Sequence, residues 1–513
     1  MPVKSLVLFG LVCMAMGQTI NTSQACRVLP EDAAWPSAQN WATLNQTING
    51  HLIATIPEAS VCHTSPYEDY NATACALLQN SWDVAVLSHY LGKSTGRGSL
   101  SLWTHNLKST EYIPSYNSSY YRGPAAKLGA GVQGWEAYGL ANSTGHRIVG
   151  GSCPTVGIVG GYSQGGGHSI LSSSYGLGTD NVLEWEVVTV EDGRHLIATP
   201  TQNADLYWAL SGGGGGTFAV VLSMTARLHV DGIVGGTVFS FNDSAVGNDA
   251  YWEAVGAFHA LLPAFLDTGN SFTYSIGKNS LTAYGTMPGA NLADIDYLLE
   301  PFLADLKHRN ITPSNSPQVS PNYYTHFYTY LGPVPYGSDT YNPFTNSRVV
   351  PRSLITNATS NAIVTDLFRN ISQVEAFSPF YCDSFNVSTQ QHPENSLHPA
   401  WRDGMILCSP AGSWDWSATP DEMAARDEYA AKTLQPLMDE ATPGGLVYLN
   451  EANHMYENWK ENFFGDNYEK LLSVKMKYDP EEVFEDDEQL VLKPMQLTVE
   501  SIVQAFVLRT SLL

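Results

Sequence analysis

The sequence predicts an α+β fold with more than one structural unit, and three observations point to it. Between residues 84 and 230, short runs of β-type residues alternate with glycine turns, which is typical of strands. From residue 233 to residue 445, apolar residues recur at helical spacing, with short strand-like pieces between the helical segments. From Trp459 the pattern is helical until Asp479 and Pro480 interrupt it.

Each element of the first region follows from a local pattern. We expect strands over residues 99–103, 147–149, 182–190, 195–198 and 218–225. Asp192 and Gly193 stand between two of these runs and are typical of a hairpin turn. Residues 206–210 resemble a short helix that precedes a glycine run from 212 to 216.

The second region is predicted to mix helices and strands. Helical patterns cover residues 249–266, 293–306, 360–368 and 419–438, and strand-like pieces cover 237–241, 272–276 and 281–283. The aromatic run from 323 to 330 is interpreted as a strand, either in the core or with one face in a substrate cavity. The alternation over residues 448–450 predicts a strand with Tyr448 and Asn450 on one face.

The composition limits the classes of function. The chain has 513 residues, of which 43% are hydrophobic, so it can bury a large core over two or three units. The net charge is −24 and the pI is near 4.8. This acidic balance disfavours nucleic acid and anionic membranes as partners, because both require cationic side chains. Its ordinary consequence is solubility.

The N-terminus has the features of a signal peptide over residues 1–17. Lys4 supplies positive charge, residues 6–14 supply a short apolar run, and residues 15–17 offer small residues for cleavage. No later segment reaches the roughly 18 apolar residues of a membrane span, so we expect a secreted protein without membrane insertion. Ten Asn-X-Ser/Thr sequons favour a glycoprotein, at Asn21, Asn45, Asn71, Asn117, Asn142, Asn242, Asn310, Asn357, Asn370 and Asn386.

The cysteines fit an oxidising compartment. Cys13 leaves with the signal peptide, and six cysteines remain: Cys26, Cys62, Cys75, Cys153, Cys382 and Cys408. The three N-terminal cysteines could supply one disulfide, and the last two could supply another. Cys153 is left over, and it lies in a glycine-rich loop.

That loop, residues 150–168, is the most informative segment of the chain. Its glycines are too dense for an ordinary helix or strand, so they indicate sharp turns or a backbone that lies against a ligand. Residues 137–179 contain no Asp or Glu, as expected where backbone N–H groups face an anion. The loop therefore predicts a pocket for a phosphate-bearing cofactor. A second loop able to wrap a phosphate, residues 90–98, follows His89.

Two other motifs predict different chemistry. Residues 129–134 match the G-x-G-x-x-G pattern of nicotinamide sites, but residues 124–128 are a poor strand and no acid stands about 20 residues later. Residues 161–165 match G-x-S-x-G and would make Ser163 the nucleophile of a secreted hydrolase, although three glycines are a poor helix start. No metal-ligand spacing is present, so we expect no metal site.

Taken together, these motifs resemble the berberine-bridge-enzyme-like flavoproteins of the vanillyl-alcohol-oxidase and p-cresol-methylhydroxylase superfamily. The resemblance is strongest to the fungal isoamyl alcohol oxidase-like branch and runs from Cys26 to Phe484. The matching motifs are residues 90–98, 100–105, 129–133, 150–168, 176–186, 205–216, 332–337, 448–452, 467–468 and 475–484.

The resemblance implies a two-part FAD-binding domain of the p-cresol-methylhydroxylase type with an inserted α+β substrate domain. The N-terminal part would span residues 18–232, the substrate domain 233–444, the C-terminal part 445–484, and a divergent tail 485–513. FAD would be held covalently by Cys153 at C6 and by His89 at the 8α-methyl. The implied cofactor-binding residues are His89, Gly92, Ser94, Gly96, Cys153, Pro154, Thr155, Val156, Gly157, Gly160, Gly161, Tyr162, Gly165, Gly166, Gly167, His168, Asn181, Val182, Asn450 and Asn467.

Two departures from the family pattern bear on this site. An ungapped match places Ser88 at the histidine position, and a shift of one residue restores His89 as the flavin ligand. Several tens of residues that support the adenine side of the cofactor are absent between Asp83 and Val84. An alternative is therefore an inactive or truncated relative with impaired FAD binding, and a second alternative is the Ser163 hydrolase.

The family implies an oxidase. A base takes a proton from a small-molecule substrate, such as an alcohol or a secondary-metabolite intermediate, while hydride moves to flavin N5. Dioxygen then reoxidises the flavin and yields hydrogen peroxide. Tyr448 is the expected base, provided that its neighbours lower its pKa from about 10. We expect the protein to act as a monomer.

Overall fold

The computed structural model of the chain describes residue 30 and residues 32–56, 58–64, 69–81, 100–190, 193–337, 344–415 and 417–484. Several predicted features lie outside these residues: the signal peptide, Cys26, the deletion after Asp83, the loop with His89, Gly92, Ser94 and Gly96, the turn residue Asp192, and the tail 485–513. In the part of the chain that is described, no helix is long and apolar enough to cross a membrane.

The α-helices fall mostly in the second half of the chain. They are α1 (Ala38–Thr47), α2 (Ala72–Ser81), α3 (Gly134–Ser143), α4 (Ser172–Tyr175), α5 (Ala204–Leu210), α6 (Asn248–Leu266), α7 (Leu292–His308), α8 (Tyr323–Leu331), α9 (Arg352–Thr356), α10 (Ala358–Ser372), α11 (Pro420–Tyr429), α12 (Gln435–Ala441) and α13 (Tyr468–Tyr478). A π-helical turn, Ala430–Leu434, joins α11 to α12.

The strands form two main sheets. They are β1 (Thr110–Asn117), β2 (Arg122–Gly129), β3 (His146–Arg147), β4 (Val182–Val188), β5 (His195–Ala198), β6 (Val220–Arg227), β7 (His229–Val230), β8 (Val234–Asn242), β9 (Ser271–Ile276), β10 (Ser280–Pro288), β11 (Ser314–Ser320), β12 (Phe344–Thr345), β13 (Arg348–Pro351), β14 (Phe380–Ser384), β15 (Gly404–Ser409) and β16 (Ala411–Gly412).

The first main sheet is antiparallel, with five strands in the order β1-β2-β6-β4-β5. The predicted hairpin of β4 and β5 is confirmed by their pairing, in which Trp185 lies opposite Ala198. Residues 124–128, interpreted as a poor strand, lie inside β2, and that interpretation was wrong. The irregularity in β1 between Ile113 and Tyr116 leaves Pro124 without a ladder partner in β1, so its missing N–H costs no hydrogen bond.

The second main sheet has seven antiparallel strands in the order β11-β8-β10-β9-β14-β15-β13. One face is apolar, with Phe239 and Phe272 fully buried against Phe258 of α6. The other face carries polar residues such as Thr273 and Asp383, which are only partly buried. Because side chains alternate along a strand, one face of the sheet packs against the helices and the other face is polar.

Several predicted elements are confirmed to within a few residues, and three are wrong. Residues 100–103 are not a strand. Residues 323–330 form helix α8, because Tyr323, Phe327 and Leu331 repeat at helical spacing and are buried, and Asn322 caps the first turn. Residues 448–450 are not a strand, since a short 3-10 helix, Leu449–Glu451, occupies this position.

Two disulfides are present in the described part of the chain. Cys382 pairs with Cys408, as predicted, and Cys62 pairs with Cys75, which resolves the open pairing at the N-terminal end. Cys153 takes part in neither bond and is partly exposed.

Candidate active site

The glycine loop 150–168 folds as a turn that continues into a kinked π-helical turn, Ile158–Tyr162. Gly160 breaks the helical geometry there with a ψ of −140°. The loop is fixed from one side by neighbouring backbone: the Gln133 amide donates to the Thr155 carbonyl at 2.6 Å, and the Ile158 N–H donates to the Val132 carbonyl at 3.1 Å. The loop is therefore anchored on the segment that joins strand β2 to helix α3.

The glycines of this loop fall into two classes. A Cβ added at Gly157 or Gly160 would meet nothing within 4 Å among the described residues. A Cβ at Gly165 would lie 2.7 Å from the Asn450 side chain, and one at Gly167 would lie 2.8 Å from the Tyr162 ring. Packing thus explains Gly165 and Gly167, whereas Gly157 and Gly160 border open space. This open cradle fits a flat ligand that lies against the backbone.

A second glycine run, residues 212–216, lies directly behind the first. A Cβ at Gly215 would come within 3.0 Å of the Gly161 Cα, and the N–H groups of Gly212 and Gly214 donate to the Gln164 carbonyl at 2.9 and 3.0 Å. The sequence analysis gave no site role to this run. Its glycine density was the available signal, since two backbones can approach this closely only without side chains.

The loop ends on His168, which is the centre of an acid–base cluster that we define as His168, Glu451, Asp383, Ser409 and Thr273. His168 Nε2 lies 2.9 Å from a Glu451 carboxylate oxygen, and its Nδ1 lies 3.5 Å from Asp383 Oδ2. The Ser409 hydroxyl donates to Glu451, and the Thr273 hydroxyl donates to Asp383 at 2.5 Å. One imidazole therefore joins the glycine loop, the polar sheet face and the C-terminal segment.

This cluster changes the protonation of His168. Burial by itself would lower the pKa of the imidazole. The hydrogen bond with Glu451 and the charges of Glu451 and Asp383 outweigh burial and raise the pKa of His168 to about 9. His168 is thus a cation at neutral pH, flanked by two carboxylates.

Tyr448 and Asn450 lie next to this cluster. Their side chains contact each other, as their predicted position on one face requires. Asn450 Nδ2 lies 2.6 Å from the Tyr448 hydroxyl and 2.9 Å from the Gly161 carbonyl. The Tyr448 ring contacts the His168 ring edge-on at 5.4 Å. Burial and the Glu451 charge raise the pKa of Tyr448 above its ordinary value, against hydrogen bonds from Asn450 and Gly167. Tyr448 is therefore a neutral phenol, because its pKa is raised overall and is not lowered as the sequence analysis required.

The remaining predicted residues divide between the loop and the scaffold. Cys153, Thr155, Val156 and Gly161 are partly exposed on the loop, while Pro154, Tyr162 and Gly166 are buried in it. Asn181, predicted to bind the cofactor, donates its amide to the carbonyls of Tyr175 and Leu177 and pairs with His229 at 2.8 Å.

Two further predicted residues belong to the same scaffold. Val182 is fully buried in β4. Asn467 donates its amide to the carbonyls of Ser396 and Leu397. In the described residues, Asn181, Val182 and Asn467 therefore support the structure around the loop.

Glu451, Asp383 and Ser409 were missed by the sequence analysis. Glu451 directly follows the predicted Tyr448-Leu449-Asn450 motif, and a carboxylate there was a usable signal. Asp383 and Ser409 each follow a cysteine of the predicted Cys382–Cys408 pair, and that pairing was the available signal that they lie on neighbouring strands.

Two other hypotheses for the site were wrong. Ser163 is 1% exposed and its hydroxyl donates to the Ile158 carbonyl at 2.7 Å, whereas a hydrolase nucleophile must be accessible. The G-x-G-x-x-G segment lies on an antiparallel sheet, which lacks the parallel strand order of a nicotinamide fold. In the described part of the chain, no group of three or more His, Cys, Asp or Glu side chains is arranged so that it could hold a metal ion.

Comparison with known proteins shows the family to which the chain belongs. The family model described as "Berberine and berberine like" matches residues 447–488, which include Tyr448, Asn450 and Glu451. A VAO-type flavoprotein oxidase from Thermothelomyces thermophilus is 63% identical over 553 aligned positions, which cover 94% of this chain and 96% of the relative. The bifunctional decalin synthase calF from Penicillium decumbens is 38% identical, and the match covers 94% of this chain and 96% of that relative.

A solved structure agrees with these relatives. The crystal structure of a VAO-type flavoprotein from Myceliophthora thermophila C1, solved at pH 5.0, superposes with a TM-score of 0.88 at 64% identity. The match covers 91% of this chain and 97% of the other. The α+β, FAD-binding fold expected from the sequence is thereby confirmed, and FAD is the cofactor of this family. The chain belongs to the VAO-type, berberine-bridge-enzyme-like FAD-linked oxidoreductases.

Proposed function

We propose that the protein is a secreted FAD-dependent oxidase that oxidises a small molecule and passes the electrons to dioxygen. The observation that carries this proposal is the open cradle at Gly157 and Gly160, which lies on the same loop as His168, whose imidazole contacts two carboxylates from other segments. A flat cofactor against the cradle would lie close to a group that can exchange protons. When bound, FAD supplies the two-electron acceptor of the oxidation.

The residues of the loop fit this cofactor. Cys153 is partly exposed on the same loop as the cradle, as a thiol that bonds to the flavin requires, and His89 is the proposed second covalent link. The predicted division at residues 232 and 444 is proposed to separate a two-part FAD domain from a substrate domain. It is supported by the change from the first sheet to the second between β6 and β8.

Two residues are candidates for the proton acceptor. Tyr448 was expected in this role, but its raised pKa keeps the phenol protonated at neutral pH, so it cannot accept the proton. Glu451 is favoured by geometry, because its carboxylate is 24% exposed and is held by His168 and Ser409. In the proposed reaction, Glu451 takes the proton of the substrate hydroxyl, and the positively charged His168 lies 2.9 Å from its carboxylate.

Secretion and glycosylation are supported by the surface and by the disulfides. Sequon residues Asn71, Asn117, Asn242, Asn310, Asn357 and Asn370 are exposed. Two disulfides are typical of an oxidising compartment. For the substrate we propose an alcohol or a secondary-metabolite intermediate, because one relative is a decalin synthase.

The length of the alignment with one relative supports the alternative of impaired FAD binding. The alignment with the Thermothelomyces protein spans 553 positions, more than the 513 residues of this chain, so some tens of positions have no counterpart here. The predicted deletion after Asp83 would account for part of this difference and would remove support for the adenine end of FAD.

A visible spectrum of the purified secreted protein tests both possibilities. We expect the two bands of an oxidised flavin, with colour that stays in the pellet after denaturing precipitation. The H89A/C153A double variant should release the colour into the supernatant, while S163A, a matched control on the same loop, should retain it. A colourless wild-type protein would instead support the impaired relative.

The two candidate bases are separated by Glu451→Gln and Tyr448→Phe. With a substrate that gives peroxide release in the wild type, we expect E451Q to lose about 10²-fold or more in turnover, a typical contribution of a general base. Y448F should lose much less. The opposite ranking would return the role to Tyr448.

A further inference from the structure

The Cys382–Cys408 disulfide lies directly beneath the acid–base cluster. It joins neighbouring antiparallel strands, β14 and β15, at residues that are register partners. Both cysteines are buried, with 1% and 0% exposure, in the apolar core on the helix side of the sheet. The bond is thus a cross-link within the second main sheet, whose other face is polar.

Each cysteine is followed by a residue of the cluster. Side chains alternate along a strand, so Asp383 and Ser409 face away from the core when Cys382 and Cys408 face into it. The burial pattern agrees, since residues 380, 382 and 384 of β14 are buried and 381 and 383 are not. Asp383 lies 3.5 Å from His168, and Ser409 donates to Glu451.

Ser409 is the register partner of Tyr381 in β14. It is the last residue of β15, and Pro410 follows it and has no N–H to continue the ladder. Strand ends open more readily than strand centres. The disulfide is placed one residue before this end, where it limits the movement of Ser409.

We propose that the Cys382–Cys408 disulfide is a positioning element, which holds Asp383 and Ser409 against the His168–Glu451 pair. This inference rests on the proposed function, because it assigns the disulfide to the acid–base group of that site. The cysteines act through Asp383 and Ser409 and do not touch the substrate themselves.

The test uses the full-length protein with its flavin and follows the titration of His168. Protein labelled with ¹⁵N-histidine is titrated by NMR, and the His168→Gln variant identifies the resonance. The C382A/C408A variant should lower the pKa of His168 from about 9. We expect a shift of about one pH unit or more towards its ordinary value. The C62A/C75A variant removes the other disulfide and should leave this titration unchanged.

Equal shifts in the two disulfide variants, or no shift in either, would overturn the proposal. If C382A/C408A does not fold, Ser409→Ala tests the same geometry with the disulfide intact. It should also shift the His168 titration, and an unchanged titration would again overturn the proposal.

The flavin spectrum of the same samples is a separate readout. Its absence from the wild type would contradict the proposed function and would leave the NMR test of the disulfide valid.

Discussion

The two halves of the glycine loop contain glycines for different physical reasons. In the closed half, Gly165 and Gly167 are pressed against Asn450 and Tyr162. In the open half, Gly157 and Gly160 face space that no described residue fills. The closed half therefore needs glycine for folding, whereas we propose that the open half needs it for a ligand. Substitutions in the two halves should affect different measured quantities.

The largest expected effect is on folding, from Gly167→Ala. Gly167 has a φ of +77°, and an added Cβ would lie 2.8 Å from the Tyr162 ring and 2.9 Å from its backbone oxygen. We expect a loss of about 4 kcal/mol in the free energy of unfolding, from backbone strain and overpacking together. Denaturant unfolding measures it. A loss below about 1 kcal/mol would show that the closed half is not packed as described.

The next largest effect is a pH dependence of the unfolding free energy, which comes from His168 at the end of the closed half. Its pKa is about 9 in the folded protein and 6.5 ordinarily, so its contribution is fully present below pH 6.5 and is lost as pH rises through 9. The contribution is on the order of 3 kcal/mol. The difference in unfolding free energy between wild type and His168→Gln should shrink over this range. A constant difference would contradict the ion cluster.

A smaller effect is expected from Tyr448→Phe. The buried hydroxyl accepts hydrogen bonds from Asn450 and from the Gly167 backbone, so its removal leaves two donors unsatisfied. We expect a loss of about 1–2 kcal/mol by thermal unfolding, with the flavin spectrum retained. Loss of the flavin without loss of stability would place Tyr448 on the open side of the loop.

The smallest effect on stability should come from Gly157→Ala. Gly157 has a φ of −66° and a ψ of 108°, which alanine adopts without strain, and the added Cβ meets open space. The unfolding free energy should change by less than about 0.5 kcal/mol. The flavin content per protein, measured by absorbance, should nevertheless fall. Unchanged flavin content would remove the cradle from the proposed site.

The sequence was sufficient for elements whose burial is encoded locally. Helices α6 and α7 and strands β5 and β9 were predicted to within one or two residues, because their apolar periodicity follows from one buried face. Helix α8 was mistaken for a strand, because a run of adjacent aromatics hides the spacing of Tyr323 and Phe327. Strand β2 was not predicted, because a sequence that begins with Pro124 is a poor strand. Only the pairing with β1 shows that Pro124 lies at an irregularity, where a proline is tolerated.

The candidate site shows the same limit. Cys153 and the glycine loop are contiguous, so their pattern can be seen in one segment. Asp383 and Ser409 come from different strands, and each follows a cysteine of the Cys382–Cys408 disulfide. The raised pKa of Tyr448 depends on burial and on Glu451, neither of which the sequence specifies. Long-range pairing therefore accounts for the part of the site that the sequence did not predict.

The bond between His168 and Glu451 also has a consequence for the order of folding. The two residues are separated by 283 positions along the chain. A contact of such high sequence separation forms late, because the intervening chain must first be ordered. During synthesis the glycine loop emerges long before its carboxylate partner, so the first sheet must fold with the imidazole unsupported. The protein can therefore acquire its acid–base chemistry only when nearly the whole chain has been made.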